Sequence, residues 1–150
     1  MIYISHRGNL EGPTKDFENK PEYIENAISQ GYEVEIDVWF KNNNFFLGHD
    51  EPQYNISANF LLKKEIWCHA KNLKALEEMK KIGSHYFWHE NDKFTLTSKG
   101  YIWTYPGFEL SKNSICVLPE QDSVKNKKLE CAGICSDFIK RYKFDKINNI

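Results

Sequence analysis

Glu33-Val34-Glu35-Ile36-Asp37-Val38 alternates acid and aliphatic side chains with the period of a β-strand. Residues two apart on a strand point the same way, so Glu35 and Asp37 share one face while Val34, Ile36 and Val38 share the other. If the aliphatic face meets an outer core, both carboxylates look into a barrel or cleft. Held there without partners they would repel each other and lose hydration, and a divalent cation removes that cost. Ligation by oxygen alone suits Mg²⁺ or Ca²⁺. The other reading of the same alternation is an edge strand with its acids in water.

Outward from this stretch the chain alternates strands with connections. Upstream, the spacing predicts a helix over about 19–30, with Pro21 in its first turn and Gly31 as its stop. Before it, Ile2-Tyr3-Ile4 is a short strand that runs into His6-Arg7-Gly8, and residues 9–17 form a loop around Gly12-Pro13-Thr14. Downstream, Lys41-Asn42-Asn43-Asn44 reads as a hairpin turn before the strand Phe45-Phe46-Leu47, and His49-Asp50-Glu51-Pro52 as a loop. A strand at 65–69 precedes an amphipathic helix over 73–82 that Gly83 ends, and further strands follow at 85–88, 101–104, 115–118 and 133–135. About seven core strands alternating with helices or turns argue for an α/β fold with parallel pairing. No repeat, linker or low-complexity tract divides residues 1–150, so one domain is expected.

In parallel α/β folds the functional groups gather where strands end. The polar residues here follow that rule: His6-Arg7, Glu35 with Asp37, His49-Asp50, His69 with Lys71, His89-Glu90, Glu120 and Asp137 all fall at or just past a strand. The fifth histidine, His85, begins a strand and belongs at the opposite end. His6 and His49 form the natural proton-transfer pair, because imidazole titrates near neutrality. Arg7 can grip phosphoryl oxygens with two parallel N–H groups. A single histidine at a strand end is more often structural or solvated than catalytic. The weight comes from two histidines, an arginine and two acids converging within the first fifty residues.

The ordered set His6-Arg7-Gly8, Glu18-Asn19, Gly31, Glu35-Ile36-Asp37-Val38 and His49-Asp50 resembles the opening of the glycerophosphodiester phosphodiesterases, over about residues 1–52. The resemblance implies a (β/α) TIM-type barrel, the PLC-like phosphodiesterase fold, with catalysis at the C-terminal ends of its strands. It implies His6 and His49 as acid and base, Arg7 as a phosphate ligand, and Glu35 and Asp37 as metal ligands. It also implies attack on phosphorus by a neighbouring substrate hydroxyl before hydrolysis, with the substrate a small phosphodiester from lipid metabolism. Lys71 matches a family lysine, but His69 stands where that family carries a glutamate ligand. Either His69 ligates through nitrogen, shifting preference toward Mn²⁺ or Zn²⁺, or another acid such as Glu90 completes the site, or affinity falls.

A full barrel takes about 250 residues, so several outer helices after Gly83 must be missing from a chain of 150. Gly133-Ile134-Cys135-Ser136-Asp137 resembles the family's last strand and would let the reduced barrel close. Bare wall would expose apolar surface, and a homodimer is one way to cover it. Glu18, Lys71, His89, Glu90 and Glu120 are placed around the substrate, Glu120 in a substrate or supporting role. Trp88-His89-Glu90-Asn91-Asp92 reads equally well as a polar turn after a buried strand; the aromatics of Trp103-Thr104-Tyr105-Pro106-Gly107 read as core or rim. The run Lys125-Asn126-Lys127-Lys128 reads as solvated surface.

Composition sets outer limits. With 20 basic and 21 acidic residues the net charge is −1, which offers no basic face for nucleic acid or an anionic membrane. At 41% apolar and 27% charged the chain is of ordinary globular type, and its 15% aromatic content points to packing on large flat side chains. No apolar run approaches the roughly 18 residues of a membrane span, and the short apolar start does not read as a signal peptide. Cys68, Cys116, Cys131 and Cys135 lack paired CxxC spacing, so reduced core cysteines in a cytoplasmic protein are expected.

Overall fold

The computed structural model describes residues 1–121 and 129–147. The lysine-rich run at 125–128 lies outside the described residues. Ten strands form one mixed sheet: β1 (Ile2–His6), β2 (Glu33–Lys41), β3 (Asn44–Leu47), β4 (Tyr54–Ile56), β5 (Ile66–Ala70), β6 (Tyr86–Phe87), β7 (Phe94–Leu96), β8 (Ile102–Thr104), β9 (Ser114–Val117) and β10 (Gly133–Ser136). The helices are α1 (Pro21–Ser29), α2 (Ala58–Leu61), α3 (Leu73–Ile82) and α4 (Ile139–Ile147), with a 3₁₀ turn at Pro119–Gln121.

Parallel pairing runs unbroken through β6, β5, β2, β1, β10, β9 and β8. The sheet curls strongly, because the residues around β7 reach back to β6. There Ser98 N donates to Tyr86 O at 2.9 Å and Thr95 Oγ1 to Trp88 O at 2.8 Å, while β7 itself pairs antiparallel with β8. The fold is therefore mixed α/β and barrel-like with few helices. Beyond the barrel-like part, β2 continues into an antiparallel extension with β3 and β4.

Strand alternation sorts side chains into two cores. Ile4, Trp67, Phe87, Trp103, Ile115, Val117 and Cys135 pack together on the concave side. Val34, Ile36, Val38, Ile66, Cys68 and Ala70 face outward and pack with Ile24 and Ala27 of α1 and Met79 of α3. Phe87 and Trp103 rings meet at 4.5 Å, so large aromatics fill the middle. The same parity that turns Trp67 inward turns its register partner Glu35 inward, and Asp37 and His69 one layer nearer the C-terminal end of β5.

Both longer crossover helices are locally specified. Pro21 opens α1, and Asn72 caps α3 by accepting from Ala75 N at 3.0 Å. Gly83, at φ 77°, ends α3 in a left-handed turn. Between β6 and β9 the described residues carry no α-helix. On that flank Phe94, Leu96 and Phe108 stay exposed. Cys68, Cys116 and Cys135 are buried, and none of the four cysteines is in a disulfide. No helix among the described residues is long and apolar enough to cross a membrane.

Candidate functional site

Three ligand-type side chains converge from the first half of β2 and the C-terminal end of β5. One ligand atom each from Glu35, Asp37 and His69 lie within 4.8 Å of one another. Register explains the meeting, since Asp37 pairs with His69 across the parallel ladder and Glu35 stands two residues before it. Both carboxylates are buried, at 2% and 0% exposure. Glu35 Oε2 and Asp37 Oδ1 have no hydrogen-bond partner. A buried carboxylate oxygen without a hydrogen bond is costly, and a divalent ion is one group that could satisfy both.

Cations nevertheless crowd Asp37. Arg7 Nε lies 2.9 Å from Asp37 Oδ2 without the alignment of a hydrogen bond, Lys71 Nζ lies 3.6 Å from Oδ1, and His69 Nδ1 lies 3.2 Å from Oδ1. Burial alone would raise the Asp37 pKa, but His69, Arg7 and Lys71 together hold it well below the usual carboxylate range. His69 also lies 3.5 Å from Glu35 Oε1. Burial disfavours its imidazolium form, yet Asp37 and Glu35 outweigh that and lift its pKa to about 9.

A pH dependence of stability follows from that shift. His69 lies above its ordinary 6.5 in the folded, ion-free protein, so its contribution is complete below pH 6.5 and is lost as pH rises through about 9. The urea midpoint measured in EDTA should therefore fall between pH 6.5 and 9.5, by an equivalent of roughly 2–3 kcal/mol. A flat midpoint across that window would contradict the assigned contact.

His6 belongs to the same layer. Its Nδ1 bonds Asp137 Oδ1 at 2.7 Å, and its Nε2 lies 3.8 Å from Glu35 Oε2. An ionised carboxylate only accepts, so Nδ1 carries the proton and Nε2 is the nitrogen turned toward Glu35. Burial pulls the His6 pKa down, but the Asp137 bond and the Glu35 charge reverse this and leave it raised. Asp137, lowered in turn by His6 against the effect of burial, is held in place from behind. Glu120 accepts from Asp137 N at 3.0 Å and from Ser136 Oγ at 2.9 Å, and Asn9 Nδ2 donates to Asp137 Oδ1 at 2.8 Å.

The turn after β1 shapes the rest. Arg7 adopts φ 55°, a conformation costly for a residue with a Cβ. Gly8 follows at φ +95°, and a Cβ there would come within 2.5 Å of the Tyr23 ring. Glu18 bridges this turn, accepting from Arg7 Nη1 at 3.3 Å and Asn9 Nδ2 at 2.9 Å. Asn19 reaches Asp37 twice, donating to its Oδ2 and accepting from its backbone N, each at 2.9 Å.

His49 is placed differently. It is 43% exposed, bonds Asp50 Oδ1 at 2.7 Å, and faces a cleft of about 380 Å³ lined also by Arg7, Lys15, Glu18, Asn19 and Gln53. Gly48 at φ +149°, where a Cβ would stand 2.1 Å from Glu51 O, forces the turn that presents it. Arg7 and Asn19 both contact Asp37 and line this cleft. His89 contributes its backbone carbonyl, which accepts from His69 Nε2 at 2.7 Å, and its ring lies 5.4 Å from Tyr105. Glu90 is exposed and stands outside the three-residue group. His85 sits in the lower part of the sheet against Trp67, bonded to Thr97 Oγ1 at 2.9 Å.

Sequence reading gave no role to Asn9 or Asn19 and placed Asp137 at a strand end without a task. Their work is done through contacts up to 131 residues apart in sequence, as between His6 and Asp137, and spacing carries no signal of that kind. Compared with family models, curated proteins and solved structures, the chain matches none.

Proposed function

We propose that this chain is a metal-dependent phosphodiesterase of the glycerophosphodiester phosphodiesterase type, on a reduced (β/α) barrel. The observation that carries the reading is the pair of orphaned carboxylate oxygens on Glu35 and Asp37 beside a histidine whose proton is held by Asp137. Glu35, Asp37 and His69 would hold a divalent ion. Once bound, it would supply positive charge against the negative charge that develops on phosphoryl oxygens. His6 Nε2 would take the proton of the attacking nucleophile, the neighbouring hydroxyl of a glycerophosphodiester or water on a diester that has none, with Asp137 fixing its orientation. Arg7 would meet a phosphoryl oxygen at the cleft floor. His49, at the cleft wall, would protonate the departing alcohol. Lys71, 3.6 Å from Asp37, would add fixed positive charge beside the phosphate.

A second reading, binding of a phosphorylated ligand without turnover, is favoured by one observation. Arg7, Lys71 and protonated His69 already surround Asp37 and could stand in for an ion. Turnover of bis(p-nitrophenyl) phosphate separates the two. Nitrophenol release that requires an added divalent ion and stops with EDTA is expected; its absence with every ion, from folded protein, would favour binding alone.

A further inference from the structure

Proposing a metal site leaves the ion unnamed, and the donors narrow it. Asp37 can offer a cation one oxygen only. Its Oδ2 accepts from Asn19 Nδ2 at 2.9 Å and stands 2.9 Å from Arg7 Nε, leaving Oδ1. Asn19 also bonds the Asp37 backbone, so the carboxylate is clamped at both ends and does not turn to offer two oxygens. Bidentate carboxylates are what Ca²⁺ uses to reach its usual six to eight oxygens.

The third donor is nitrogen, and its tautomer is set by its neighbours. A backbone carbonyl only accepts, so His69 Nε2, 2.7 Å from His89 O, carries a proton. The ring is stacked on Phe87 at 5.2 Å and 10°, which fixes its plane. With an ion present, Nδ1 turns its lone pair to the carboxylates, 3.2 Å from Asp37 Oδ1 and 3.5 Å from Glu35 Oε1. Two ligands about 2.1 Å from one ion and roughly 90–110° apart stand roughly 3.0–3.4 Å from each other, close to both distances.

We propose that Glu35, Asp37 and His69 select a first-row transition dication, such as Mn²⁺, over Mg²⁺ and Ca²⁺. The inference rests on the metal-site reading above but not on the reaction assigned to it. Imidazole nitrogen suits transition ions, whereas Mg²⁺ and Ca²⁺ prefer oxygen. Arg7 and Lys71 weaken the binding of every dication, so the nitrogen decides which ones bind at all.

Chelator-treated full chain titrated with Mn²⁺, followed by electron paramagnetic resonance and calorimetry, tests this without any substrate. One bound Mn²⁺ per chain is expected, retained against a hundredfold excess of Mg²⁺ or Ca²⁺. His69→Glu, which makes the donor set all oxygen, should cut the preference for Mn²⁺ over Mg²⁺ at least tenfold, and His69→Gln should weaken Mn²⁺ binding, with circular dichroism confirming both folds. Displacement of Mn²⁺ by equimolar Mg²⁺ or Ca²⁺, no binding to folded protein, or an unchanged preference in His69→Glu would overturn the proposal. Selective Mn²⁺ binding without diester cleavage would uphold this proposal and reject the reaction; cleavage supported by Mg²⁺ or Ca²⁺ but not Mn²⁺ would do the reverse.

Discussion

His6→Ala is expected to lower metal-dependent phosphodiester turnover by about 10²–10⁴-fold while the fold is retained. The effect should be large because His6, which lies outside the Glu35–Asp37–His69 group, has its tautomer fixed by Asp137 and its other nitrogen turned toward Glu35. Nδ1 is bound to Asp137 and Nε2 lies 3.8 Å from Glu35. The fold should survive because Asp137 keeps the Asn9 amide and, through its backbone, Glu120. His49 provides an internal contrast. It is exposed at the cleft wall, where its proposed task is to protonate the leaving oxygen. Nitrophenolate departs without a proton, so His49→Ala should spare the nitrophenyl diester and impair a glycerophosphodiester. His6→Ala should impair both. Equal losses on both substrates for the two variants, read from kcat/KM, would contradict the division of labour.

Asp37→Asn should lower the stability of the metal-free protein by about 3–5 kcal/mol and abolish divalent-ion binding. Asp37 is fully buried and is the shared counter-charge of Arg7, Lys71 and His69. Its removal lets His69 return to the neutral form, but Arg7 and Lys71 keep their charges in a site that has lost half its buried carboxylates. An exposed pair gives the scale for comparison. Lys74 and Glu77 are 53% and 52% exposed, and removing either should leave the urea midpoint essentially unchanged. Urea unfolding in EDTA measures both. A loss below about 1 kcal/mol for Asp37→Asn would mean that the cations there do not depend on it.

The parts of the fold legible in the sequence are those with strong local signals. Alternation across residues 33–38 put Glu35 and Asp37 on one face and left open whether that face was interior or a solvated edge; the structure buries it. The helix over 73–82 was bounded by its own period and by Gly83. By contrast, β7 was not foreseen, since its apolar residues Phe94 and Leu96 face solvent and its partly buried residue is Thr95, the reverse of the usual pattern. Helix α4 was missed for a related reason. Its Lys-Arg-Tyr-Lys run has little amphipathic contrast, and Ile139 is the residue that anchors it in the core. The Glu35–Asp37–His69 group was expected from the alternation on β2 together with the family resemblance, in which His69 stands in an acid's place. The support behind His6 could not be expected, because Asn9, Glu120 and Asp137 meet only after β10 has docked beside β1.

The most direct test of a metal-dependent phosphodiesterase is mass spectrometry of glycerophosphocholine incubated with ion-loaded protein. Choline together with a glycerol phosphate, cyclic or linear, is expected in amounts exceeding the enzyme, with formation stopped by EDTA and lost in His6→Ala. Intact substrate after prolonged incubation with Mn²⁺, Mg²⁺ and Ca²⁺ in turn, or equal product from His6→Ala, would contradict that reading.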